Sequence, residues 1–121
     1  MDNAFARYGL VALGGAAGSM LRYWAAVQFG ARASTTFAVN ISGSFLIGLL
    51  IASALGADPR WRLLLASGFL GGYTTFSTWQ LEALLSARSS DWAGMTVNLV
   101  GSLFAGLSAV ALGYIVGMRL R

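Results

Sequence analysis

STTFAVNISGSFLIGLLIASALGA, residues 34–57, runs from Ser34 to Ala57 without one charged side chain. A bilayer crossing takes roughly 20 consecutive apolar residues in a helix, so this run is long enough to span. The rest of the chain repeats the pattern. Charge-poor runs extend from Tyr8 past Arg22 to Phe29, from Leu63 to Leu81 and from Trp92 to Met118. Soluble domains are about 45–50% apolar and about 25% charged; here the figures are 57% and 10% over 121 residues, with a mean hydropathy of +0.70. These numbers exclude an ordinary soluble domain and leave no room for a separate catalytic one.

The runs predict four transmembrane helices at about 5–29, 34–57, 61–87 and 92–118, making a single all-α membrane domain. None shows the alternation of apolar and polar residues that a membrane β-barrel strand requires. The gaps are short and punctuated: Gly30-Ala31-Arg32, then Asp58-Pro59-Arg60 with the only proline, then Arg88-Ser89-Ser90-Asp91. Because three similar runs follow it, the first reads as one of a set and not as a cleaved leader. Cysteine and histidine are absent, which removes disulfide, thiol, zinc and haem chemistry. The net charge is +4, carried by eight arginines and no lysine. Those arginines stand singly at segment ends, so they fit membrane flanks and not a nucleic-acid face.

With four crossings both termini share a side, and the arginines divide as Arg7, Arg60, Arg62, Arg119 and Arg121 against Arg22, Arg32 and Arg88. Five against three is a weak bias, so orientation is poorly specified. Glycine is abundant at 16 residues. The pairs Gly14/Gly18 and Gly113/Gly117 have the small-xxx-small spacing that lets membrane helices approach closely.

Polar residues inside the spans are the exceptions to explain. At 3.6 residues per turn, Thr36, Asn40 and Ser44 fall along one stripe of the second helix, with Gly43 beside it. Asn98, Ser102 and Gly106 line up likewise on the fourth. Hydrogen bonding between helices accounts for such stripes, and so does a narrow wet path. The third segment carries Gly71-Gly72-Tyr73-Thr74-Thr75-Phe76-Ser77-Thr78-Trp79. A glycine pair followed by four hydroxyls is a poor helix interior, so a break near Gly71–Thr75 is expected. Irregular main chain at membrane depth survives only where protein buries it or it lines a cavity, and freed carbonyls there can coordinate a cation. No Asp, Glu or Lys is expected at mid-span, Arg22 and Glu82 falling toward helix ends, which disfavours a proton-coupled transporter. Hydroxyl and amide donors, with the electropositive ring edges of Phe76 and Trp79, can instead replace the water around a small anion.

Three ordered motifs, Gly14–Tyr23, Thr36–Phe45 and Gly68–Glu82, resemble those of the CrcB/Fluc family of fluoride channels, and the likeness covers essentially the whole chain. The resemblance implies a dual-topology homodimer of antiparallel copies in a bacterial cytoplasmic membrane, with fluoride pathways at the interface. It implies that Asn40, Thr36, Phe76, Ser77, Thr78 and Ser102 line the fluoride pathway. It places Arg22 at the vestibule and a structural sodium ion (Na+) on the main-chain carbonyls of Gly71 and Thr74. Two positions depart from the pattern: Trp79 stands where a second Phe is usual, and Asn98 where Tyr is frequent. Glu82 matches an acidic family position. A small multidrug-type antiporter, also a four-helix antiparallel dimer, is the alternative. It needs a carboxylate in the first helix, and Asp2 is the only acidic residue before Asp58. A purely structural membrane subunit is a third reading and leaves the hydroxyl cluster unexplained.

Overall fold

The computed structural model describes residues 3–121, and all regular structure among them is helical. Helix α1 (Ala4–Phe29) begins where the Asn3 side chain accepts the Phe5 N–H at 2.9 Å, the N-cap arrangement that satisfies a first-turn donor. It ends at Gly30, whose φ of 92° suits a residue without Cβ. Helix α2 (Ala33–Ala52) follows after Ala31 and Arg32.

The charge-free run 34–57 is not one helix. Ser53 is extended and Ala54–Ala57 tighten into a 3-10 turn. The Ser53 hydroxyl donates to the Leu50 carbonyl at 2.9 Å, Arg121 Nε donates to the Ala52 carbonyl at 2.8 Å, and Gly56 packs directly on the Leu50 carbonyl. The turn residues Ala54, Leu55, Gly56 and Ala57 are as apolar as the helix before them, so hydropathy does not register the stop.

Helical structure resumes over residues 59–73 (α3), with Asp58 capping Arg60 N–H at 2.8 Å and Pro59 in the first turn. It is α-helical over Pro59–Trp61 and Gly71–Tyr73 and widened to π pitch over Arg62–Leu70. Thr74 and Thr75 are extended, and α4 (Phe76–Arg88) continues the segment. The break therefore lies at the C-terminal edge of the stretch that foretold it. Helix α5 (Trp92–Met118) is capped by Asp91, which accepts Gly94 N–H at 2.8 Å, and is π-widened over Val97–Gly101. Three helices, α1, α2 and α5, are each long and apolar enough to cross a bilayer; α3 and α4 share their segment between two pieces.

The helices pack mainly as two couples, α1 with α3 and α2 with α5, and glycine makes both close. A Cβ on Gly14 or Gly18 would run into the Leu64 or Phe69 carbonyl of α3, and one on Gly68 would lie 2.8 Å from the Val11 carbonyl oxygen. Gly48 meets α5 at the Val110 carbonyl, while Gly113 and Gly117 meet the Phe45 and Leu49 carbonyls of α2. Buried apolar side chains are mostly small, among them Ala25, Val39, Ala52, Ala83 and Ala109, whereas Phe5, Met20, Leu103, Phe104 and Leu112 are exposed. Lipid removes the usual reason to hide them, since tails are as apolar as leucine. We expect Gly18→Ala to lower the stability of the detergent-solubilised protein by about 1–3 kcal/mol through overpacking. Gly9→Ala, which meets nothing within 4 Å, should leave the thermal midpoint unchanged; equal midpoints for both variants would refute the close-packing account.

Candidate functional site

The break at Thr74 and Thr75 opens main-chain groups that a continuous helix would have paired, and in hydrocarbon each needs another partner. Asn40 of α2 provides two. Its Oδ1 accepts the Thr75 N–H at 2.8 Å and its Nδ2 donates to the Thr75 carbonyl at 3.0 Å, so the side-chain amide clasps one residue's main chain on both sides. Thr75 also starts α4: its Oγ1 accepts the Thr78 N–H at 3.3 Å and donates to Thr78 Oγ1 at 3.1 Å. From α1, Arg22 Nε donates to the Gly72 carbonyl at 3.0 Å, with Ser19 Oγ at 3.5 Å. The N–H groups of Thr75 and Thr78 would have closed turns on Gly71 and Thr74, and both are committed to side-chain oxygens. The carbonyls of Gly71 and Thr74 are thus freed from helical pairing.

Two clefts adjoin the break. One, of about 300 Å³, is lined by Asn40, Gly43, Ser44, Ile47, Ala66, Leu70, Gly71, Thr74, Thr75, Phe76 and Trp79. The other, of about 530 Å³, includes Ser19, Arg22, Arg32, Thr35, Thr36, Thr75, Thr78 and Glu82. Thr75 belongs to both. In the first, Phe76 and Trp79 stand edge to face with centroids 5.5 Å apart and planes at 63°. Phe76 is 70% exposed. Trp79 Nε1 donates to the main-chain carbonyl of Asn98 at 3.2 Å, and Ser102 Oγ donates to Asn98 Oδ1 at 3.3 Å.

The structure thus gathers Asn40, Phe76, Trp79, Gly71 and Thr74 around one cleft and Arg22, Thr36 and Thr78 around the other. Asn98 and Ser102 form a pair behind Trp79, and Ser77 lies exposed outside both clefts. Thr36 and Asn40 share a helix face but address different partners: Thr36, only 7% exposed, donates its hydroxyl to Glu82 Oε1 at 2.6 Å. Glu82 is not toward a helix end; it sits mid-way along α4 with Oε2 buried and unpartnered. Arg22 likewise reaches inward to the main chain beside the break. Sequence reading missed Thr75, which takes part in four of these bonds. Its signal was present as a hydroxyl immediately before a helical run with another three residues on, the spacing of an N-cap.

Helices of bilayer-crossing length around an irregular stretch, held by amide, hydroxyl and guanidinium groups, define an all-helical membrane protein with a polar site inside its helix layer. The chain belongs to the CrcB family: the sequence profile described as CrcB-like protein, Camphor Resistance (CrcB), matches residues 9–114. It is 40% identical to the fluoride-specific ion channel FluC of Acidobacterium capsulatum, over 94% of this chain and 98% of that protein. The fluoride-specific ion channel FluC 1 of Listeria monocytogenes is 41% identical over 90% of this chain and 95% of its own length. The FluC of Solibacter usitatus is 40% identical over 93% and 99%. These likenesses and the apolar helices make it a multi-pass membrane protein.

Two substitutions test the clasp. Thr75→Val removes the cap hydroxyl while keeping the shape and should cost about 1 kcal/mol. Asn40→Leu strands a main-chain donor and acceptor together, each worth about 1–3 kcal/mol when buried unpaired, and should cost more. Unfolding of the detergent-solubilised protein measures both, and an Asn40→Leu variant as stable as the parent would refute the clasp.

Proposed function

We propose that this chain is a passive, fluoride-selective channel that lets fluoride leave across a bacterial cytoplasmic membrane and so relieves its toxicity. The observation that carries the reading is the cleft at the break. It is lined by the Asn40 amide, the Ser44 hydroxyl and the rings of Phe76 and Trp79, with no carboxylate among its lining residues, while the hydroxyls of Thr74 and Thr75 donate within the protein to the Leu70 carbonyl and Thr78 Oγ1. Donors of this kind replace the hydration shell of a small anion, and ring edges add positive potential without a titratable group. The names of the relatives point the same way. Fluoride enters as the neutral acid or down its gradient, accumulates, and drains through the pore; no energy source is required. Thr36 and Thr78 extend the polar path into the second cleft, Arg22 there raises the local anion concentration, and Ser77, Ser102 and Asn98, outside both clefts of one chain, join the path where the second copy completes it.

The working unit is two antiparallel copies, α3 and α4 together making the fourth crossing of each. The exposed face of Phe76 supports this, because one chain alone leaves the polar cleft open to lipid, where a dehydrated ion has no wall on that side. The weak arginine bias suits insertion in both orientations. The freed carbonyls of Gly71 and Thr74 fit a sodium ion, being hard neutral oxygens released from helix pairing. No cluster of three or more His, Cys, Asp or Glu exists among the described residues to compete for a metal. A bound sodium ion would supply a fixed positive charge that satisfies those oxygens in place of N–H donors; the chain's own part is to hold them clear of N–H partners. The antiporter alternative lacks its carboxylate: α1 carries no acidic residue, and Asp2 lies outside the described residues.

Liposomes holding the purified protein alone, read with a fluoride electrode, test the proposal. Fast fluoride efflux with silent chloride is the expected result, and absence of both from folded dimers would overturn it. Phe76→Ile and Asn40→Asp should each slow fluoride by about tenfold or more, a barrier change of about 1.4 kcal/mol, while dimers still form. Replacing sodium with N-methylglucamine should lower the dimer's thermal midpoint; an unaltered midpoint would remove sodium from the account.

A further inference from the structure

A third cleft, of about 470 Å³, lies between α2 and α3 and has no part in the proposed pathway. Leu46, Leu49 and Leu50 of α2 form one wall and Leu65 and Phe69 of α3 the other, with Leu55 of the 3-10 turn and Leu120 beyond α5 bordering it. Ser53 is its one polar lining residue, and that hydroxyl is spent on the Leu50 carbonyl at 2.9 Å. A lining without free polar groups gives an ordered water or an ion nothing to bond. What it matches is hydrocarbon.

The cleft exists because α2 stops early: the helix ends at Ala52 and the chain turns through Ala54–Ala57, while α5 beside it runs on to Met118. Successive residues turn by about 100° around a helix, which sets the Leu46, Leu49, Leu50 and Ser53 face of α2 roughly 120° from the Asn40, Gly43, Ser44 and Ile47 face. The latter lines the polar cleft, and Leu70 alone borders both. A second copy seated over Phe76 therefore leaves this cleft to lipid.

Arginines gather at the same end. Arg121 Nε donates to the carbonyl of Ala52, the residue before Ser53, and the guanidinium has further N–H donors to offer. Leu120 of the lining stands between Arg119 and Arg121, while Arg60 and Arg62 begin the helix that carries Leu65 and Phe69. Trp61 between them is 42% exposed, and tryptophan is the residue type that marks headgroup level. Asp58, the acidic side chain of this stretch, is occupied in capping the Arg60 N–H. An aliphatic slot with arginines at its outer end complements a lipid of acidic headgroup, because arginine takes phosphate bidentately and basic pockets between membrane helices bind anionic headgroups.

We propose that this cleft binds an anionic phospholipid, one acyl chain lying between α2 and α3 and the phosphate held by Arg62 and Arg121. The lipid then bridges the two helix couples, α1 with α3 and α2 with α5, along a seam where they touch little. The site stands whether or not the chain conducts.

Native mass spectrometry of the purified protein, mixed with phosphatidylglycerol or phosphatidylcholine of identical chains, reads the lipid retained per chain. Phosphatidylglycerol should be retained about tenfold better, and it should raise the thermal midpoint in detergent where phosphatidylcholine and inorganic phosphate do not. Arg62→Gln and Arg121→Gln should each lower phosphatidylglycerol retention about fivefold, the effect of one basic side chain at an anionic headgroup. Both should keep their midpoints without lipid, since glutamine at 121 still offers a donor to the Ala52 carbonyl. Leu46→Trp, which fills the cleft, should abolish the midpoint rise. Equal retention of the two lipids by the parent, or parental retention by both glutamine variants, would overturn the proposal. So would a midpoint rise with inorganic phosphate as large as that with phosphatidylglycerol, which would reduce the site to a surface anion. Dissociation of Leu46→Trp into single chains would give the cleft to a second copy and likewise overturn it.

Discussion

Everything near the centre of this molecule depends on the two hydrogen bonds between the Asn40 side chain and the Thr75 main chain. Opening a helix in hydrocarbon exposes peptide groups that water is not there to satisfy, and the side-chain amide of Asn is a neutral group that presents a donor and an acceptor with peptide geometry. Because the clasp takes the Thr75 N–H, α3 ends at Tyr73; because Thr75 is then extended, its hydroxyl is free to start α4. Arg22 completes the arrangement from the other side at the Gly72 carbonyl. A helix C-terminus carries partial negative charge, so a guanidinium there both bonds and balances it.

The glycines make the clasp reachable. Side chains of Asn and Ser length bridge helices only when backbones nearly touch, and Gly14, Gly18, Gly68 and Gly72 bring α1 against α3 at that range. Gly43 does the same locally, since a Cβ there would collide with the Thr74 methyl group. Polar chemistry and close packing are therefore one design. Enlarging a residue far from the break moves the partners on which the break relies.

Much of this was legible in the sequence because it rests on composition and period. Apolar run lengths gave the spans of α1 and α5 and the start of α2, and the clustering of Gly71, Gly72 and the threonines marked where a helix fails. What could not be read were interactions decided by partner geometry. The stop at Ala52 depends on Arg121 meeting a carbonyl from 69 residues away, and the residues around it remain apolar throughout. The pairing of Thr36 with Glu82 is likewise invisible along one helix, because the stripe of Thr36, Asn40 and Ser44 shows a shared face and not which oxygen each will find. Glu82 was read as peripheral because the break was not yet used to renumber the helix: counted from Phe76, it is central.

The sharing of Thr75 between the two clefts has a kinetic consequence. The residue common to both has its main chain fixed by Asn40, and its remaining freedom is a hydroxyl leaning on Thr78. In a chain that works as proposed, the motion left to Thr75 is the rotation of a small side chain, an event of picoseconds to nanoseconds. Helix displacements take microseconds or longer. A site held by side chains of that size has no hinge to regulate, so traffic would follow the electrochemical gradient of the ion and little else.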